Sequence, residues 1–476
     1  MFQIYVFIFV FTFFQNCNLA NILGIPRPES DGLWMQFVFR ENAEILHIDH
    51  FPEENGIEEE REEAKNFELK QTIITGVPNT NTYGKSITVD ENGFIYVVGD
   101  TNGGLYNVIS IGTRDLTVIK YDSRMNQIWA KQIGNAGVVL EAKGIAVDQN
   151  GNVFVTGITN GNFPRALSGR QDLFLMKFGS SGNLIWSEQK GAINGRVTPN
   201  AITVDRSGSS YIVGETDGFF GNPQIGNHGF IIKFKWDGGE DWRRHVTIQN
   251  ARSNPTGVTF DRTTNSVFMV GHGTANYLNG TTQGIGTENL FIYNYDEYGN
   301  RHYFTQLGSA LRSVTNCHVT IDPFGNILVG AKSDARFDPL LGGNNFLGTI
   351  LKHNIQTNNQ EWIQQFGPIH NQAVTEINGI TTDENGNIYT IGYSTGNVLD
   401  DGRIGSIGRS DVFLAKHDSS GQIEFIRRIA TPGATITGSG ISSDSRGSTY
   451  GLGNTNSSIN GIPLLGSQGA FIVRYR

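Results

Sequence analysis

The stretch VDQNGNVFVTG, Val147–Gly157, sets Asp148, Asn150 and Asn152 at alternate positions around Gly151. Oxygen-bearing side chains so spaced open a calcium-binding loop, and an acidic catalytic site can begin the same way. The calcium reading also needs a glutamate at the twelfth position, where this chain has Thr159. The same letters equally make a tight turn between two strands, in which Asp accepts local backbone N–H groups and Gly supplies a positive φ. Other candidates for chemistry are sparse. His47 and His50 in HIDH can share a metal on one helical turn, and the ten histidines show no Ser-His-Asp grouping along the chain.

Repetition separates these readings. The strand-Asp-turn unit recurs at Asp90, Asp148, Asp205, Asp261, Asp322, Asp383 and Asp444, at intervals of 58, 57, 56, 61, 61 and 61 residues. A fixed period of this size is the signature of a repeat architecture. Within a copy, GIAVD (Gly144–Asp148), NVFVTG (Asn152–Gly157), DLFLMKF (Asp172–Phe178) and LIWSEQKG (Leu184–Gly191) read as strands a to d, bounded by Gly, Asn, Asp and Ser. Four antiparallel strands per repeat make one propeller blade. The second turn position varies freely, as Glu91, Gln149, Arg206, Pro323 and Glu384, which no ligand loop tolerates. The glycine recurs as Gly93, Gly151, Gly208, Gly325, Gly386 and Gly447, as a positive-φ backbone requires. The Asp is therefore expected to shape a turn, with no metal site, no cofactor and no catalytic residue in the repeat itself.

AFIVRYR (Ala470–Arg476) reads as strand c of copy seven, and FELKQTIITG (Phe67–Gly76) has the register of a strand d. The N-terminal segment is thus expected to complete the seventh blade and close the ring, giving an all-β, seven-bladed propeller of four-stranded antiparallel blades over 67–476. Ile87, Ile145, Ile202, Val258, Val319, Ile380 and Ile441 stand three residues before each Asp, with small residues such as Thr88 and Ala146 next to them. One face of each blade is then branched and the other small, so adjacent sheets interlock. In strand d, Trp129, Trp186, Trp242, Tyr303, Trp362 and Phe425 read as blade-packing aromatics. The closing strand has Gln71 instead, and its seam is expected to be the weakest blade contact.

GIAVDQNGNVFVTG followed by QDLFLMKFGSSGNLIW, and YGKSITVDENGFIYVVGDTNGG followed by RDLTVIKYD and QIWAKQIG, resemble the SBBP type of β-propeller repeat found in bacterial secreted and envelope proteins. The resemblance implies a propeller on an exported protein and no defined chemistry. Copies four and five are worn: DRTTNSVFMVG carries an extra residue, and Leu328 stands where others have Tyr or Phe. Repeats of quinone-cofactor dehydrogenases look similar around YDSRMNQIWAKQIG, but the adjacent cysteines those enzymes use are absent. Sialidase-type Asp boxes place a serine two residues before the Asp, here only Ser442.

Composition bounds the partners. Glycine is abundant, 60 of 476 residues, and charged residues make up 17%, as turns and strands require. The net charge of −9 includes −5 from residues 53–65, EENGIEEEREEAK, and no basic stripe invites nucleic acid. Residues 1–17 read as a signal segment: the apolar run Phe2–Phe14 is short for a membrane span but suits an export signal. Cys17 behind it resembles the lipidated cysteine of a bacterial lipoprotein, although Phe14 and Asn16 depart from that pattern; cleavage after Ala20 is the alternative. Residues 18–66 read as an acidic spacer, with LWMQFVFR (Leu33–Arg40) apolar enough to pack on the ring. Cys317 lies in a strand and reads as a buried thiol.

The a–b and c–d turns are short and share one face, whereas the b–c and d–a loops vary and share the other, which is where recognition is expected. Five residues before each Asp stand Lys85, Lys143, Asn200, Thr256, Cys317, Asn378 and Ser439, a mostly polar ring at the channel mouth on that face. The next position is Ser86, Gly144, Ala201, Gly257, His318, Gly379 and Gly440, of which only His318 is bulky. The expected ligand-binding residues are Lys85, Lys143, Asn200, His318 and Asn378, with His318 either narrowing the channel or packing in the wall. The function expected is that of a monomeric, exported, non-enzymatic scaffold binding protein or glycan. A hydrolase, lyase or quinoprotein-like enzyme at the same mouth is the alternative.

Overall fold

The computed structural model describes residues 67–106, 108–221, 227–248, 250–276, 280, 284–337, 345–368, 373–396 and 407–476. The signal segment, Cys17, the 18–66 spacer and the loop residue Tyr277 lie outside them. Seven four-stranded antiparallel sheets form, each in the order a-b-c-d. The a strands are Thr82–Val89, Leu140–Val147, Val197–Val204, Ser253–Asp261, Val314–Ile321, Thr375–Thr382 and Ile436–Ser443, for blades 1 to 7. Each a strand touches the a strand of the next blade, the seventh touching the first, so the ring is closed with the a strands innermost. In blade 7 the fourth strand is Leu69–Thr75, paired antiparallel to Gly469–Tyr475.

The repeat letters act through turns. Asp148 accepts the N–H of Asn150 and of Asn152 (both 2.9 Å) on Oδ1 and the Asn152 amide (2.8 Å) on Oδ2, while Gly151 takes φ +73°. Where strand b offers a tyrosine, its hydroxyl donates to Oδ2: Tyr96 on Asp90, Tyr211 on Asp205, Tyr450 on Asp444 and, beside the Asn387 amide, Tyr389 on Asp383. Blade 5 lacks that hydroxyl at Leu328, and Asn326 and Lys352 serve Asp322 instead. The extra residue of blade 4 lets Asn265 take the positive φ. Both carboxylate oxygens are thus occupied by the turn's own donors, which is why the calcium spacing builds architecture.

Blades interlock as the size alternation requires. At Gly144 a Cβ would lie 3.0 Å from Ile202 Cγ2, so only the absence of a side chain admits the next blade. A second latch joins the outer strands. The indoles of Trp129, Trp186 and Trp242 donate to the carbonyls of Ser180, Trp236 and Glu297 in the next blade's c–d turn, at 3.0, 3.2 and 2.8 Å. The cross-strand lysines Lys177 and Lys233 donate to two of the same carbonyls. Beneath the rings lie Gly182, Gly238 and Gly299, all at positive φ, where a Cβ would meet the indole at 2.8 to 3.2 Å.

The closing seam exchanges these parts. Gln71 pairs with Arg474 where siblings pair Trp with Lys, and the matching turn glycine is Met125, held at φ +62° and buried. With no indole to meet, a side chain fits there, and Met125 packs with Ile73, Tyr121 and Ile472. The turn carbonyl of Ser123 receives the Tyr450 hydroxyl at 2.9 Å instead of an indole. A recess of about 370 Å³ stays open beside Met125, Tyr106 and Ile74.

A double-mutant cycle tests this exchange. Gln71→Trp alone overpacks Met125 and is expected to destabilise by about 1–3 kcal/mol. Adding Met125→Gly restores the sibling geometry, and the pair is expected to couple favourably by at least about 1 kcal/mol in urea unfolding. Additive losses would show that the two positions do not meet.

Candidate functional site

The polar ring is built by a break in register midway along the innermost strands. In six a strands one residue is skipped by the ladder to strand b: Lys85, Lys143, Asn200, Thr256, Asn378 and Ser439. Such a β-bulge leaves the extra residue without a cross-strand partner and turns it out of the sheet's alternation. In blade 5 two residues are skipped, Asn316 and Cys317, with Asn316 at φ +53°. The polar member of the ring there is Asn316, and Cys317 is withdrawn into the core, fully buried, where burial pushes its thiol pKa up.

Bulge residues clasp the neighbouring blade. Asn200 donates to Asn254 Oδ1 and Pro255 O (both 2.8 Å), and Thr256 donates to Cys317 O at 2.6 Å. Asn316 donates to Asn378 Oδ1 (2.7 Å) and Glu376 Oε1 (2.8 Å), and Asn378 to Gly438 O at 2.9 Å. Between blades 7 and 1, the Asn454 amide brackets the Gly84 peptide at 2.8 and 3.0 Å. These amides and hydroxyls tie each of blades 3 to 6 to the next, and blade 7 to blade 1.

The junction of blades 1 and 2 is made of charge instead. Lys85 and Lys143 converge on Glu141 Oε1, at 3.2 and 2.7 Å, and Arg114 lies 3.6 Å from Oε2. Asp100, on the second strand of blade 1 opposite Tyr83, lies 3.7 Å from Lys85 and 3.4 Å from Arg114. Its side chain is wholly buried and neither oxygen accepts a hydrogen bond. Burial raises the Asp100 pKa to about 6, against the pull of Lys85, Arg114 and Lys143 and with a push from Glu141. Burial acts upward on Glu141 too, but Lys143 and Lys85 more than reverse it.

Around the ring, the same register level carries a second polar set that the sequence reading passed over. Across from Thr198 stands Glu215, and across from Asn254 stands His272. Glu215 and Glu288 have pKa values raised by burial, with Arg252 opposing, and His272, 3.2 Å from Glu288, is pushed down to about 4 by burial. On the far side Lys332 binds Glu376 at 2.7 Å and the Tyr393 hydroxyl donates to it at 3.2 Å. Apart from Arg252 and Glu288, these residues fall seven before or ten to eleven after a marker Asp, so the same period could have found them.

His318 stands apart from the clasps. It faces Gly330 across the ladder, whereas the small residues Gly144, Ala201 and Gly379 face Thr156, Val213 and Ile391. Bulk has moved from one strand to the other, and a Cβ at Gly330 would lie 2.8 Å from Ile377 of the next blade. The His318 Nε2 is buried without a hydrogen-bond partner, and burial pushes its pKa down to about 4. Of the five residues singled out, Lys85 and Lys143 meet at one carboxylate, Asn200 and Asn378 serve separate clasps, and His318 fills a packing gap.

The SBBP family model, a beta-propeller repeat, matches residues 72–107, 128–164, 185–221 and 361–400. An uncharacterised WD repeat-containing protein of Acanthamoeba polyphaga mimivirus is 28% identical over 155 residues, 27% of this chain and 11% of that protein. A Dyadobacter fermentans protein of unknown function is 9% identical with a TM-score of 0.44, covering 86% of this chain and 98% of its own. The propeller domain of a Pyrococcus furiosus Trilobed protease gives 9% and 0.44, covering 80% and 94%. The polysaccharide lyase Uly1 gives 9% and 0.46, covering 85% and 99%.

Asp100 makes a pH prediction. Its folded pKa of about 6 exceeds the unfolded value, about 3.9, so folding favours its protonated form. That contribution, about 3 kcal/mol, is full below pH ~4 and lost as pH rises through 6. In urea unfolding, the Asp100→Asn stability curve is expected to lack this decline. Parallel curves for the two proteins would contradict the assignment.

Proposed function

Because this chain is built of SBBP-type β-propeller repeats, a fold that fixes no chemistry by itself, we propose that it is a binding scaffold whose loop-bearing face docks a protein partner. The observation that supports this is an aliphatic rim. Ile111, Ile285, Ile407 and Leu465 each stand four residues before the first residue of a c strand, all exposed. Two of them are held in place, the N–H groups of Ile111 and Ile407 donating to Asp115 and Asp411. On the d–a loops of the same face, the left-handed turn position is Asn79, Gly137, Asn194, Asn250 and Gly433, but Leu311 in blade 5. Leu311 takes φ +60° and is 90% exposed. A leucine in that conformation costs about 1 kcal/mol relative to glycine, and nothing in folding repays it. Aliphatic side chains gain by burial against a protein's apolar groups, and a hydroxylated glycan offers them little. Export completes this reading, supported by the Phe2–Phe14 run, with Cys17 as a lipid tether or cleavage after Ala20.

An enzyme at the channel mouth is the second reading, favoured by Glu215 and Glu288, whose raised pKa values suit a general acid. Turnover lost in Glu288→Gln with rim binding kept would support it.

The rim reading predicts an unusual pair of effects for Leu311→Gly: stability rises by about 1 kcal/mol while partner affinity falls. The fourfold variant Ile111→Ser, Ile285→Ser, Ile407→Ser, Leu465→Ser is expected to keep its melting temperature and to lose the proteins captured by the wild type. Trp236→Ser and Phe324→Ser, exposed on the opposite face, should retain them. Capture unchanged by the rim variant, or lost with the turn-face pair, overturns the reading.

A further inference from the structure

The blade 1–2 junction stands out against its own siblings. At four other junctions a single amide or hydroxyl closes the gap, as Asn200, Thr256, Asn378 and Asn454 do, and between blades 5 and 6 one ion pair, Lys332–Glu376, joins the Asn316 amide. Between blades 1 and 2 the same task has drawn in Lys85, Arg114 and Lys143 against Asp100 and Glu141, an excess of one positive charge with both carboxyls ionised. The siblings show that the fold does not need it. It is also poorly satisfied: Asp100 is wholly buried and accepts no hydrogen bond, a costly arrangement for a carboxylate. The three cations keep a quarter to a third of their side-chain surface exposed, 26, 33 and 27% for Lys85, Arg114 and Lys143. Each has more donors than the two carboxylates engage. Lys85 and Arg114 also lie over the Tyr83 ring, 5.3 and 5.4 Å from its centroid, which fixes where their stems run.

We propose that Lys85, Arg114 and Lys143 form an oxyanion-binding site at the channel mouth, taking the carboxylate or sulfate group of a small ligand. Glu141 holds the two lysines together, and Asp100 holds Lys85 and Arg114 from behind. Glu141, Lys143, Lys85 and Arg114 are the charged groups that face Asp100. When Asp100 takes up a proton, the cations lose a competing anion and the bound oxyanion is held more tightly; by linkage, the bound oxyanion favours that proton. The site goes beyond the aliphatic rim and does not depend on a protein partner docking there.

Isothermal titration of the full chain with D-glucuronate and, separately, with sodium sulfate tests this at pH 5 and pH 8, where both probes stay ionised. Binding is expected with at least one probe, severalfold tighter at pH 5; a preference for glucuronate marks a carboxylate site and the reverse a sulfate site. Arg114→Gln is expected to weaken binding about tenfold or more at both pH values. Asp100→Asn is expected to bind equally at both, near the wild-type value at pH 5. The fourfold rim variant should bind both probes as the wild type does. The proposal fails if the folded wild type binds neither probe, or if Arg114→Gln and Lys143→Met leave binding unchanged. Affinity independent of pH in the wild type removes the role of Asp100; because Arg114 is partly exposed, its variant keeps the site testable even if Asp100→Asn does not fold.

Discussion

The polar ring along the innermost strands depends on one recurring event, the β-bulge. A regular a strand would send alternate side chains into the two blade interfaces, which are packed with Ile87, Ile145, Ile202 and their equivalents. Skipping one residue, as at Lys85 or Asn200, frees a side chain from both interfaces and lets it span to the next blade. Where that side chain is an amide it ties the ring together. Where it is lysine, as at Lys85, the tie becomes ionic, and Lys143 joins it on the same Glu141 carboxylate, leaving donors to spare.

The two ends of the propeller then divide the work. On the turn face, Asp carboxylates, positive-φ glycines and the tryptophan latches are used up by the fold. Asp148 spends both oxygens on its own turn, and Trp186 and Lys177 share one carbonyl of the next blade. On the loop face the backbone is held in place, by Asp115 and Gln132 in blade 1 and by Asp172 and Gln189 in blade 2. That leaves Ile111, Leu311 and the Lys85–Arg114–Lys143 cluster displayed on a fixed frame. Preorganised display of this kind lowers the entropic cost of binding.

Blade count, strand order, turn chemistry and the closing strand were legible because each rests on residues that repeat: the Asp, the glycine, the branched residue of strand a. The site was less so, for the opposite reason. Asp100 is unique among its siblings, so a search for repeated letters passes over it, although its register position repeats. The two-residue bulge of blade 5 also escaped a fixed count from Asp322, which pointed to Cys317 where the strand presents Asn316. His318 drew notice as the one bulky residue of its set, yet Gly330 across the ladder, which explains its size, lies twelve residues on. At the seam, Gln71 was visible as an exception, and its complement, Met125, was not, because only the closed ring brings the strand of one and the turn of the other together.

The proposed oxyanion site puts the binding chemistry of this propeller on the loop face, at the charged junction of blades 1 and 2. A crystal structure of the chain soaked with D-glucuronate or sulfate tests it most directly. Ligand density is expected within hydrogen-bonding distance of Arg114 and Lys143. Density confined to the Asp148 turn face, or a mouth left unaltered at saturating ligand, would contradict it.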